Sequence, residues 1–163
     1  MSEDATQDIE PARPELRYRQ ASEGDVPEIT RARSTDPASE PGDSRLAAYV
    51  QGTHHPQHAL ALRVVYVAVS GRSVVGYIAG HLTRRYACDG EVQYLWVAPQ
   101  YRRQGIATEL LSQLGGWFAA QRASKVCVNV AEDNVAAQLF FKGRGAGELE
   151  RHWLVWADIR GAA

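Results

Sequence analysis

The first alternation of apolar and polar positions lies in "LRYRQAS", residues 16–22, where Leu16 and Tyr18 are set against Arg17 and Arg19, the period of a half-buried strand. "SEGDVPEITRARS" then predicts a helix, with Ser22 or Asp25 as N-cap and Pro27 tolerated in the first turn. A Pro/Gly break, "DPASEPGD", separates it from a short second helix, "SRLAAYVQG", ending at Gly52. "ALRVVYVAVSGRSVVGYIAGHLTRRYA" predicts a hairpin turning at Gly71 and Arg72, and "GEVQYLWVAP", 90–99, a strand stopped by Pro99. At Gly105 the period becomes helical, with Ala107, Leu110, Leu111, Leu114, Trp117 and Phe118 on one stripe. "SKVCVNVA", 124–131, reads as a buried strand, and Asn134 to Lys142 as a helix with Ala137, Phe140 and Phe141 on one face. "ELERHWLVWADI" is strand material bent into a hairpin. The order β-α-α-β-β-β-α-β-α-β-β predicts an α/β (α+β) domain: a mixed, mostly antiparallel sheet of six to seven strands flanked by about four helices, with one parallel crossover.

Composition changes this picture little. The chain has 163 residues, enough for one core, with 45% hydrophobic and 23% charged residues and a net charge of −1. Residues 1–14 hold four acidic residues and one basic one, and read as a disordered acidic tail ahead of a single domain, 15–163. The remainder is near neutral, so nothing draws it toward nucleic acid, and no stripe of basic residues interleaved with aromatics appears. No apolar run approaches the ~20 residues that span a bilayer, and no secretory signal is visible, so a cytoplasmic protein is expected. Cys88 and Cys127 lack metal-ligand spacing; a disulfide stays open, and a reduced pair is the reading adopted. "HHPQH", with His54, His55 and His58, sits on a Pro-containing loop without carboxylate or cysteine companions, so no metal is expected there.

The chemistry concentrates in "VAPQYRRQGIATELL", 97–111, where Arg102, Arg103 and Gln104 stand directly before a helix. Cations at a helix N-terminus oppose its dipole unless an anion sits there. Gly105 and Ala107 keep side chains away from first-turn amides, which leaves room for a phosphate group at the backbone. The plainer reading is a tight turn with solvated arginines.

The wider context decides between them. "YLWVAP", "QYRRQGIA", "TELLSQLGGWFA" and the later "NVAEDNVAAQLFFKGRGA" resemble the motifs of the GNAT superfamily of N-acetyltransferases, and the element order from 16 to 160 is similar to that fold. Val97, Pro99, Arg102, Gly105 and Ala107 match the family's Val-x-Pro-x-x-Arg/Gln-x-x-Gly-x-Gly/Ala pattern. The resemblance implies acetyl-CoA as cosubstrate. Its pyrophosphate would rest on Arg103, Gln104, Gly105, Ile106, Ala107 and Thr108, with Arg102 adding charge. Its pantetheine arm would run along Leu95, Trp96 and Val97, with the Val97 N–H polarising the thioester carbonyl. In the second motif Asn134, Ala137, Phe140 and Gly145 match, but Phe141 replaces the tyrosine that in many relatives protonates the departing thiolate, and Ala146 replaces a phenylalanine.

An attacking amine must lose a proton. Glu91 is the candidate acceptor, at the offset from Val97 used by the histone-acetyltransferase branch; uninterrupted alternation puts it on the face of Gln93, Leu95 and Val97. An ordinary strand-end glutamate is the alternative. The resemblance also lets His54, His55, His58, Arg84, Arg85 and Tyr86 border the acceptor. The expected function is acetyl transfer to a primary amine, a small molecule ahead of a protein N-terminus or lysine. An acyl-CoA-binding regulatory module without turnover is the competing reading, favoured by Phe141. A homodimer through "HWLVWADI" is a further candidate.

Overall fold

The computed structural model describes residues 15–38 and 45–162. The expected acidic tail, 1–14, lies outside them, as do residues 39–44 of the Pro/Gly break. Among the described residues seven strands form one sheet: β1 (Leu16–Gln20), β2 (Ala59–Ser70), β3 (Ser73–Thr83), β4 (Gly90–Val97), β5 (Val126–Asn129), β6 (Gly147–Glu150) and β7 (Trp153–Trp156). Their spatial order is β1-β2-β3-β4-β5-β7-β6, and only β4 and β5 run parallel. The helices are α1 (Val26–Ser34), α2 (Arg45–Gln51), α3 (Ile106–Ala120) and α4 (Val135–Gly143). A parallel pair needs a long crossover, and α3 supplies it. The mixed sheet and four helices are those the residue pattern predicts.

Each face of the sheet has its own core. On one, Ile78, Val92 and Val97 meet Ile106, Leu110, Leu114 and Phe118 of α3 and Phe141 of α4. On the other, Tyr77, Ala79 and Trp96 pack under Ile29 of α1 and Tyr49 of α2. Gly90 lets α3 come close, since a Cβ there would overlap the Phe118 ring. Trp156 is buried in the first core, its Nε1 donating to the Arg144 carbonyl (3.0 Å), so this tryptophan of the expected dimer strand is used inside the protein.

One irregularity sets the site. Val92 pairs with Gly80 and Tyr94 with Ala79, so Gln93 is an extra residue, a β-bulge. A bulge breaks the strict alternation of side chains and re-aims those on one side of it. Val92, Leu95 and Val97 face α3, while Tyr94 and Trp96 face α1 and α2. Glu91, opposite His81, joins Tyr94 and Trp96. The expectation that Glu91 shares a face with Leu95 and Val97 is therefore corrected: it assumed an unbroken strand.

Candidate active site

β4 and β5 pair only over Gly90–Val92 and Val126–Val128. β4 continues to Val97 while β5 stops at Asn129, so the two strands part and, among the described residues, the β5-side edge of β4 is left without a neighbouring strand. The Ala98 N–H donates to the Val75 carbonyl beyond the end of β3 pairing (2.8 Å). Successive N–H groups on a strand point to opposite edges, which directs those of Leu95 and Val97 into the gap. A cleft of about 260 Å³ fills it, bordered by Leu95, Asn129, Asn134, Ala137 and Phe141. On the α1 side Arg33 Nη1 donates to the Tyr77 hydroxyl (2.7 Å), and both line the cleft with Tyr94. A larger hollow, about 520 Å³, lies between α4 and the β6–β7 hairpin; no site residue expected from the sequence borders it.

The chain enters α3 through two left-handed residues, Arg103 (φ 62°) and Gly105 (φ 81°). Gly105 is the N-cap, so no side chain caps the first turn of Ile106, Ala107 and Thr108. Among the described residues a Cβ on Gly105 would meet nothing within 4 Å, leaving the approach to these amides open. Backbone donors with open space before them fit a phosphate group. Arg103 and Gln104 are exposed beside them, Gln104 Nε2 reaching the Gln100 carbonyl at 3.3 Å.

Arg102 behaves otherwise. Its Nε donates to the Val97 carbonyl (3.0 Å) and its Nη2 to Asp36 Oδ2 (2.9 Å), which also accepts from Trp96 Nε1 (2.9 Å). The Trp96 hydrogen bond, then the Ala38 N–H and the Arg102 charge, hold the Asp36 carboxyl below the ordinary carboxylate range. Arg102 is expected to face an anion; here it braces the chain, occupying the last carbonyl on the parted edge and tying it to Asp36, just beyond the end of α1. Asp36 was hidden from sequence reasoning because its partners lie sixty and more positions away. Thr108 carries a second brace, accepting from Arg144 Nη2 (2.8 Å).

Asn134 caps α4, its Oδ1 accepting from the Ala137 N–H (3.2 Å), which sets the helix that carries Phe141 to the cleft wall. The Phe141 ring packs edge-on against Trp156 (centroids 5.6 Å apart) and is 4% exposed.

Glu91 lies one pair below the point where the strands part, opposite Cys127. It is buried, not an exposed strand-end residue, and Oε1 accepts from Arg85 Nε (2.9 Å). Burial pushes its carboxyl above the ordinary value, and the Arg85 charge pulls it partly back. Arg85 also lies over the Trp153 ring (4.5 Å), so it is turned inward. His81, wholly buried beside Glu91, is a functional candidate whose sequence signal is a histidine inside the apolar run "VVGYIAGHL". His54 and His55 are tied to β2, since Arg63 donates to the His54 carbonyl (2.9 Å) and meets His55 Nδ1 (2.9 Å). The His58 carbonyl accepts from the Arg84 N–H (3.1 Å). Among the described residues no cluster of His, Cys, Asp and Glu is placed to hold a metal, and no helix is long and apolar enough to cross a membrane.

The model of the acetyltransferase (GNAT) family matches residues 26–146. No curated protein matches the sequence. Among solved structures, the aminoglycoside antibiotic 6'-N-acetyltransferase of Acinetobacter baumannii is similar at 20% identity and a TM-score of 0.67, over 84% of this chain and 94% of its own. A ribosomal-protein-alanine N-acetyltransferase of Escherichia coli is similar at 14% and 0.67, over 86% and 91%. The PaiA N-acetyltransferase of Thermoplasma acidophilum, solved in complex with coenzyme A, is similar at 13% and 0.65, over 86% and 96%. At these identities the solved structures speak for the fold.

Proposed function

The chain belongs to the acetyltransferase (GNAT) family, and from that premise we propose that it transfers the acetyl group of acetyl-CoA to the primary amine of a small molecule. The observation that carries this reading is the parted β4 edge with an uncapped helix N-terminus at its mouth. Acetyl-CoA supplies an activated acyl thioester. The amides of residues 103–108 hold its pyrophosphate, and the outward N–H groups of Leu95 and Val97 hold the pantetheine arm as an added strand would be held. The Val97 N–H is then a fixed donor where the thioester oxygen gains charge. Glu91 receives the amine's proton through one water at the closed end of the parting, and its raised pKa suits a base working near neutrality. Phe141 has no proton to give, so the thiolate leaves unaided; a thiol with pKa near ~8.5 is a tolerable leaving group. The small-molecule preference is supported by the narrow cleft, with Arg33, Tyr77 and Tyr94 as its acceptor-side wall.

Phe141 also favours a second reading, an acyl-CoA-binding module without turnover. Calorimetry with acetyl-CoA, followed by thiol release across small amines and peptides with free N-termini or lysines, separates them. Binding with amine-dependent thiol release supports the enzyme. Binding without release for any amine leaves the module, and release only with peptides moves the acceptor to a protein.

A further inference from the structure

Beneath the cleft, side chains from three strands, a helix and a loop meet out of reach of solvent. His81 of β3 is 0% exposed, between Tyr49 of α2, also 0% exposed, and Glu91 of β4. Its Nδ1 is 2.9 Å from the Tyr49 hydroxyl. Its Nε2 is 3.5 Å from Glu91 Oε2, too long for a full hydrogen bond, and has no other partner among the described residues. Arg85, from the loop after β3, holds Oε1. Arg63 of β2 lies over the Tyr49 ring (4.6 Å). The other titratable groups around Glu91 and Tyr49 are Tyr94 of β4, Cys127 of β5 and Cys88, which itself feels Lys125 and Asp89.

Burial, and after it the charges of Arg63 and Arg85, keep the imidazole neutral, with a pKa pulled down to about 4. A neutral ring carries one N–H. With the hydrogen on Nε2, the Tyr49 O–H donates to Nδ1 and the N–H points at the Glu91 carboxylate. With it on Nδ1, a nitrogen lone pair faces a carboxylate lone pair. The tautomer is therefore set by the group on the far side of the ring.

We propose that Tyr49 and His81 are positioning residues for Glu91: the Tyr49 hydroxyl fixes the Nε2–H tautomer of His81, which sets that N–H opposite Oε2 at 3.5 Å while Arg85 holds Oε1. The carboxylate is then presented in a single orientation to the proton it receives. This rests on the reading of Glu91 as the proton acceptor. Neither residue touches substrate; both act through the carboxylate.

The test uses the full chain, with labelled histidine and glutamate followed by NMR, because ring-nitrogen shifts report the tautomer and carboxyl shifts the titration without any turnover. The native protein is expected to show His81 protonated at Nε2. Tyr49→Phe, which removes one hydroxyl and keeps the ring, is expected to give mixed tautomers and to raise the Glu91 midpoint by roughly half a unit or more. In kinetics, kcat falls several-fold, KM for acetyl-CoA stays, and the acid limb of the pH–rate profile moves up with the midpoint. His81→Gln, which restores a side-chain N–H, recovers part of the loss seen in His81→Phe. An Nδ1–H tautomer in the native protein, or a Glu91 midpoint unmoved by Tyr49→Phe, overturns the proposal while Glu91→Gln is still inactive. Full turnover in Glu91→Gln overturns the reading beneath it, whatever the tautomer.

Discussion

The mouth of the β4–β5 parting is built from main chain, and its closed end from side chains. At the mouth, the groups offered to a ligand are the first-turn amides of α3 and the N–H groups of Leu95 and Val97; Gly105 leaves the approach clear, while Arg102 braces the Val97 carbonyl and Arg144 the Thr108 hydroxyl. At the closed end Tyr49 of α2 meets His81, Arg85 and Glu91 of the β3–β4 hairpin, with a carboxylate buried among them. A backbone donor exists whatever residue bears it, so the mouth asks the sequence only for small residues at fixed spacing. The closed end asks for particular functional groups, each needing the others in place. Chemistry that depends on one end should therefore fail differently from chemistry that depends on the other.

The largest effect is expected at the closed end. Glu91→Gln preserves shape and can still accept from Arg85, but removes the base. Turnover should fall roughly 10²-fold or more at neutral pH, while coenzyme A affinity, which belongs to the mouth, stays as it was. Recovery at high pH, where the amine is already neutral, marks a lost base; an equal loss at every pH, or a parallel loss of affinity, would join the two regions into one.

Why the two ends were not equally readable follows from the same contrast. Val97, Pro99, Arg102, Gly105 and Ala107 lie within eleven consecutive residues, so their spacing survives in a linear reading, and the fold was legible for a related reason: each element carries its own period. The Glu91 face was misread because Gln93 bulges, and no residue there announces it: two-for-one pairing is a property of β4 against β3. Asp36 with Arg102, and Tyr49 with His81, are contacts between distant segments and leave no local trace. Arg102 matched its motif position, but spacing alone does not say whether a guanidinium faces a ligand or a carbonyl.

The next contrast is in pH. An imidazole in the unfolded chain titrates near ~6.5, and buried His81 at about 4. As pH falls below about 6.5 the unfolded state gains a proton that the native state refuses, so stability drops across that window, by at most roughly 3 kcal/mol. Glu91, with its raised value, takes its proton earlier in the native state than in the unfolded one, and offsets part of the loss toward the acid end. Asp36, near the mouth, is held low and loses its contribution only at more acid pH, below the ordinary carboxylate range. Denaturant midpoints measured from pH 7 to 4 should show a slope that His81→Phe flattens. A variant that keeps the native slope would show that the closed end is not the source.

At the mouth, Gly105→Val tests whether backbone is the binding group. Valine at a left-handed position costs about 1–2 kcal/mol of stability, and its branched side chain stands in the space before the amides. Affinity for coenzyme A should weaken about tenfold or more, some 1.4 kcal/mol, with the pH slope of stability unaltered. Calorimetry on the folded variant checks it, and unchanged affinity would remove main-chain binding from the comparison.

The smallest effect is expected where the two regions meet, at Phe141. Its ring lines the cleft and rests on Trp156 in the α3-side core, so it belongs to both a wall and an interior. Phe141→Tyr adds one hydroxyl and leaves the packing outline intact. If that hydroxyl reaches the cleft, it stands where many relatives carry their proton donor, and the departing thiolate no longer leaves unaided. Turnover should then rise a few-fold, most clearly below the thiol pKa near ~8.5, because protonation helps most where the free thiol is the stable product. The gain is small because a thiolate leaves tolerably on its own. If the hydroxyl is instead driven against Trp156, it is buried without a partner, a cost of about 1–3 kcal/mol, and the melting temperature falls with no change in rate. Rate and melting temperature on the one variant decide between the wall and the interior. A loss of stability alone would place the ring in the core and make the thiolate's departure independent of this helix.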